Sequence, residues 1–198
     1  AGMSALATVA QQAAMKVHID GARLMNAAVA LDCPIAELAA QADSTTLCLS
    51  KGLGAPIGSL LAGSAAFIQD ARRARKAFGG GMRQAGVIAA AGLLALHDGP
   101  RLLQADHARA RRLAEGLSAL CWLQLDLDAV QSNIVMVDLQ AGSSSALIEH
   151  LQAHSVRAAI RDRELRAAVR RRPELAGAER VDRRAVFSVL KWGTRKIW

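Results

Sequence analysis

An α/β fold followed by a smaller α+β unit is what this sequence of 198 residues predicts. Two short β-branched or apolar runs, residues 17–20 and 45–49, each lead into a glycine-containing turn. Helical periodicity joins them, which is the alternation of a parallel sheet. After residue 100 the order becomes helix, strand, strand, helix, which marks a second unit. Hydrophobic residues make up 52% of the chain, yet aromatics supply only 3% and tyrosine is absent. The core must therefore be built from Ala, Leu, Val and Ile.

Residues 3–16 are alanine-rich, with Leu6, Val9, Ala10 and Ala13 at helical spacing, and they run without a capped start into the strand 17–20. An independently folding α/β domain rarely begins this way, so a preceding portion of a parent protein is expected. Gly21 ends the strand. Residues 22–31 form a helix with Leu24, Ala27, Ala28 and Leu31 on one face, and Pro34 starts a second short helix through 42. Ser64 is a suitable N-cap for a helix over 65–77, whose Arg72, Arg73, Arg75 and Lys76 complement the helix dipole as a solvated face. Gly79-Gly80-Gly81 is a connection. Residues 85–97 are apolar nearly all round and predict a helix buried in a core or a subunit interface, broken at Gly99-Pro100. An amphipathic helix over 102–120, strands at 123–127 and 133–138, and a helix over about 145–154 capped by Ser143 complete the second unit.

The stretch 43–63 organises the rest. Its strand delivers Ser50-Lys51 to a loop containing Gly52, Gly54, Pro56 and Gly58, and residues 59–62 read as a returning strand. The spacing G-x-G-x-x-x-G with the lysine in front fits neither a dinucleotide fingerprint nor a phosphate-binding P-loop. Two readings remain for Lys51. It is either a nucleophilic amine suited to a carbonyl compound such as pyridoxal phosphate, or a lysine that merely snorkels from a strand end. Asp20 ends the other strand, so in a parallel sheet both side chains can reach the same carboxyl edge, where ligands bind. Pyridoxal phosphate needs such a pair, a lysine for its aldehyde and a carboxylate opposite its ring nitrogen. Arg23, one helical turn from Asp20, can reach the same edge or form an ion pair with it.

The runs His18-Ile19-Asp20-Gly21-Ala22-Arg23, Cys48 through Ser59, and Gly79 through Gly86 resemble the low-specificity L-threonine aldolases. These are pyridoxal-phosphate lyases of the aspartate aminotransferase fold, or fold type I. The resemblance is continuous over about 15–120 and weaker to about 156. It implies that residues 1–100 are the C-terminal part of the cofactor-binding large domain, 101–156 the small α+β domain, and 157–198 a divergent basic tail. By the same resemblance Lys51 is the Schiff-base lysine, Asp20 the partner of the pyridine nitrogen, and Arg23 a ligand of a cofactor oxygen or the substrate. Arg83 would contact the cofactor phosphate across a subunit interface. The implied substrate is a small β-hydroxy amino acid, L-threonine or L-allo-threonine, cleaved to glycine and acetaldehyde by a homo-oligomer, a dimer or a tetramer. The family's phosphate-binding loop and the histidine that stacks on the cofactor are expected in an N-terminal half not represented here. No counterpart of its substrate-carboxylate arginine stands out among Arg157, Arg161 and Arg166. An alternative is a catalytically incomplete form that acts only through subunit association.

The net charge of +8 belongs to the end of the chain. Residues 157–198 hold 13 Lys and Arg against 5 Asp and Glu, while residues 1–156 hold 12 against 12. A basic tail permits nucleic-acid contact, but no reading motif accompanies the charge, so a solvated terminus is expected. Cys33, Cys48 and Cys121 are odd in number and widely spaced, which excludes a disulfide framework or zinc site and fits a reducing compartment, cytoplasmic or mitochondrial. Cys48 and His18 are expected to pack in the core. The uncharged run 52–69 is too broken by glycine, proline and serine to span a membrane.

Overall fold

Strand β1 (His18–Ile19) pairs parallel with β2 (Ser44–Cys48), His18 opposite Ser44 and Ile19 opposite Thr45, and β2 pairs antiparallel with β3 (Ser59–Gly63). The computed structural model describes residues 2–140, 142–160 and 184–188. Its contacts divide the chain into two units, Ala1–Ala105 and Asp106–Trp198.

In the first unit, helix α1 (Gly2–Gln12) leads to β1. The start of the sheet is pinned where Asp43 accepts from Lys16 Nζ at 2.8 Å and from the Val17 amide at 2.9 Å. The hydrogen bond from Lys16, with that from the Val17 amide, holds the Asp43 carboxyl below its ordinary pKa, and the hydrogen bond to Asp43 and its charge raise that of Lys16. His18, expected in the core, is exposed and hydrogen-bonds Ser44 Oγ through Nδ1 at 2.8 Å. It lies on the pleat face that leads to solvent. Helices α2 (Leu24–Ala30) and α3 (Ile35–Ala39) form the crossover between the parallel strands, as βαβ geometry requires. Helix α4 (Ala65–Ala77) starts where predicted. Ser64 Oγ accepts from the Phe67 amide at 3.3 Å, and Arg75 and Lys76 occupy the last turn.

Helix α5 (Gly86–Ser118) overturns one expectation. Gly99-Pro100 does not break it. Pro100 lies inside the helix, and Gly99 faces the loop after β2, where a Cβ would meet Leu53 Cδ2 at 2.3 Å. Close packing of the Leu53 side chain on this face offsets the lost Pro100 hydrogen bond. Within the chain, the first part of the helix is buried along one stripe only. Gly92, Ala95, Gly99 and Leu103 form the inward stripe, whereas Val87, Leu93 and Leu94 are 73%, 68% and 66% exposed. Leu49, Leu53, Ala55, Ala95 and Leu103 make the first core, with Met25, Val29, Leu47 and Leu96 packed around it.

The second unit is a four-stranded antiparallel sheet in the order β4-β5-β7-β6, built from β4 (Leu123–Gln124), β5 (Ile134–Leu139), β6 (Ala159–Ile160) and β7 (Arg184–Ser188). Ala110, Ala114, Leu123, Val135, Val137 and Leu139 form its core. Helix α6 (Ser144–Ala153) has Ser143 as its N-cap, as predicted. The stretch read as a divergent tail from residue 157 therefore supplies two strands to this sheet. Val186 and Phe187 have the β-branched and aromatic character common in strands, and the surrounding arginines mask that signal in the sequence. Arg161, Arg166 and most of the basic stretch lie outside the described residues.

Candidate active site

Asp20 follows β1 directly and Lys51 follows β2 after two residues, so both leave the carboxyl ends of adjacent parallel strands. Two contacts hold the β1 end against β2. The Gly21 amide donates to Thr46 Oγ1 at 3.0 Å, and the Cys48 amide donates to the Gly21 carbonyl at 3.3 Å. This approach needs glycine, because a Cβ on residue 21 would stand 1.7 Å from the Thr46 carbonyl oxygen. Asp20 is exposed, and its Oδ1 accepts from the Ala22 amide at 3.1 Å. That turn fixes the carboxylate at the strand end. Arg23 stands at the N-cap position of α2, half-buried.

The Lys51 turn is anchored from within. The Gly54 amide donates to the Lys51 carbonyl at 3.0 Å, and the Ala55 amide to the Leu49 carbonyl at 3.0 Å. The Leu49 amide donates to the Gly58 carbonyl at 3.0 Å, which leads the chain back into β3. Gly54 at φ 79° and Gly58 at φ 119° occupy the left-handed region that other residues avoid. Leu53 and Ala55 are buried, whereas the Lys51 side chain is exposed and has no hydrogen bond or ion pair to another described residue. The turn thus carries an exposed lysine on a backbone fixed by these three hydrogen bonds. Arg83 is exposed in the turn before α5.

Cys48, expected in the core, is only half-buried, and its Sγ lies 3.6 Å from Ser50 Oγ. Burial raises its thiol pKa, but the hydrogen bonds from Ser50 and the charge of Lys51 outweigh burial and lower it below the ordinary value. Replacing Lys51 by alanine should therefore raise the thiol pKa. Alkylation of Cys48 by iodoacetamide should slow by about two- to threefold at neutral pH, the size expected for an exposed charge pair, and be unchanged well above the thiol pKa. Peptide mass spectrometry with Cys121 as internal reference reads this. Equal rates at neutral pH would place the Lys51 ammonium away from the thiol.

A cleft of about 490 Å³ lies elsewhere, lined by Ala7, Gln11, Lys16, Val17, Ala42 and Asp43 among others. It sits at the amino ends of β1 and β2, the edge opposite the one where parallel sheets bind ligands. No convergent polar set fills it beyond the exposed Lys16–Asp43 pair. Among the described residues no cluster of three His, Cys, Asp or Glu could hold a metal ion, and no helix is long and apolar enough to cross a membrane.

Comparison with known proteins agrees with this geometry. The chain is 48% identical over 135 residues to low-specificity L-threonine aldolase 1 of Arabidopsis thaliana, covering 68% of this chain and 38% of that protein. It is 43% identical over 142 residues to the low specificity L-threonine aldolase of Escherichia coli K12, covering 72% and 42%. The chain thus spans about two fifths of the length of these relatives. A provisionally assigned aromatic amino acid beta-eliminating lyase/threonine aldolase from Exiguobacterium superposes with a TM-score of 0.67 at 27% identity, over 77% of this chain and 44% of that one. A provisionally assigned L-allo-threonine aldolase from Listeria monocytogenes shares the fold, with a TM-score of 0.73 at 19% identity over 94% and 49%. Residues 1–140 match the beta-eliminating lyase family, and the chain belongs to that family.

Proposed function

We propose that this chain is part of a pyridoxal-phosphate-dependent, low-specificity L-threonine aldolase that cleaves L-threonine or L-allo-threonine to glycine and acetaldehyde. The observation that carries this reading is the placement of Asp20 and Lys51 at the carboxyl ends of neighbouring parallel strands. The donor set suits the cofactor. An exposed amine without an ion pair can take its aldehyde, and an exposed carboxylate one strand away can keep its ring nitrogen protonated. When bound, the cofactor supplies the electron sink for the pair left at the substrate Cα as the Cα–Cβ bond breaks. In this chain Lys51 Nζ is the covalent anchor and Asp20 the partner of the ring nitrogen. Arg23 binds a cofactor oxygen or the substrate carboxylate, and Arg83 the cofactor phosphate.

The reading is tested by incubating the chain with pyridoxal phosphate, reducing with borohydride and mapping the modified peptide. Label confined to Lys51 is expected, and label spread evenly over surface lysines would remove Lys51 from the role. The same test on an Asp20→Asn variant should show weaker retention of the cofactor.

A second reading, action only through association with other subunits, is favoured by β3, which is exposed along its whole length, and by the outer face of α5. Apolar faces of this kind mark contact surfaces. Size-exclusion chromatography over a range of concentrations separates the readings. A stable monomer that releases acetaldehyde from threonine excludes association as the sole role.

A further inference from the structure

We propose that Asn26 is the positioning residue for Lys51, acting through the backbone of the turn that carries it; this rests on Lys51 being the cofactor lysine. Asn26 lies on α2, one turn beyond Arg23, and is only 3% exposed. A carboxamide in the interior is retained at a cost unless its polar atoms are engaged. Its Oδ1 lies against Gly52, the residue immediately after Lys51. A Cβ on residue 52 would meet that oxygen at 2.7 Å and Leu103 Cδ2 at 3.0 Å. Gly52 has no left-handed φ, so glycine is needed here for close approach alone.

Three side chains thus form the seat of the turn. Leu53 plugs against Gly99 of α5, and Leu103 and Asn26 together fill the space that a Cβ on Gly52 would take. Leu53 and Leu103 give non-directional apolar contact, whereas Asn26 brings a buried carboxamide oxygen against the turn. Asn26 also lies on the helix whose first turn follows Asp20 and Arg23. It therefore joins the segment bearing the carboxylate to the segment bearing the amine, so that Asp20 and Lys51 hold one spacing. A site of this kind requires its groups held to a fraction of an ångström.

Asn26→Ala and Asn26→Ser test this in the 198-residue chain with two readouts. Amide hydrogen exchange should quicken about tenfold at residues 51–55, the effect of losing one buried polar contact, while residues 44–48 of β2 exchange as in the parent. Labelling of Lys51 by pyridoxal phosphate and borohydride should fall several-fold. Parent-like exchange in the turn, or equal acceleration throughout the first unit, overturns the proposal. Should both variants fail to fold, Gly52→Ala presses on Asn26 Oδ1 from the other side. It must loosen the same five residues and lower Lys51 labelling, and an unaltered turn overturns the proposal. Failure of the parent chain to label at Lys51 would remove the lysine's role, yet the exchange data would still decide whether Asn26 holds the turn.

Discussion

Lys51→Ala, in a protein that contains this chain at the full length of its relatives, is expected to lower threonine cleavage by at least about a thousandfold. Its bound cofactor should also lose the visible absorbance of the lysine-linked form. The turn is held by Leu53 and Ala55 and by three backbone hydrogen bonds, none of which involves the Lys51 side chain. The fold should therefore tolerate the change, and the loss should be chemical. Lys51→Arg separates charge from nucleophilicity. A guanidinium keeps the positive charge beside Cys48 but cannot become a free amine near neutral pH, so this variant should be as inactive as the alanine one while Cys48 stays as reactive as in the parent. A turnover number within about tenfold of the parent for either variant would show that the covalent anchor lies elsewhere.

Gly21→Ala is expected to destabilise the first unit by about 3 kcal/mol or more. An added methyl would stand 1.7 Å from the Thr46 carbonyl oxygen and 2.8 Å from its carbon, both backbone atoms that no rotamer change can move. Strand end and β2 must part, which lengthens the Gly21 to Thr46 and Cys48 to Gly21 hydrogen bonds and displaces Asp20. Gly116 is the control, since it lies within α5 and a methyl added there would meet nothing within 4 Å. Gly116→Ala should stabilise by about 0.5–1 kcal/mol through helix propensity and a less flexible unfolded chain. Urea denaturation of the two variants beside the parent reads both effects. A Gly21→Ala midpoint equal to the parent's would mean that β1 is not held to β2 at this point.

The acid limb of stability offers a smaller effect with a defined sign. Burial lowers the His107 pKa below its ordinary 6.5, against the opposing pull of Asp106. The unfolded chain therefore binds a proton at a higher pH than the folded one. Stability of the second unit should decline as pH falls through 6.5 and level off below the folded value. His107→Gln should flatten that part of the curve.

The helix caps and the strand-end positions of Asp20 and Lys51 are legible in the sequence because they depend on neighbours in the chain. Ser64 and Ser143 cap their helices where a hydroxyl precedes an apolar run. Asp20 and Lys51 end short strands on either side of a helical crossover, and βαβ connectivity then forces those strands parallel, with both ends at one edge. Tertiary structure alone decided three other points. Gly99-Pro100 has the local signature of a helix break, yet Leu53, far earlier in the chain, fills the space over Gly99 and the helix continues. Residues 184–188 look like part of an Arg-rich terminus, and only pairing with the distant β5 makes them a strand. The apolar run 85–97 predicts burial in a core or a subunit interface, and within the chain the first core takes only the stripe through Gly92, Ala95, Gly99 and Leu103. In each case the deciding contact comes from a distant part of the chain. Local propensity is worth about 1 kcal/mol or less for most residues and about 3 kcal/mol for a proline inside a helix, while each packed side chain is worth about 1.5–3 kcal/mol, so several distant contacts together outweigh it.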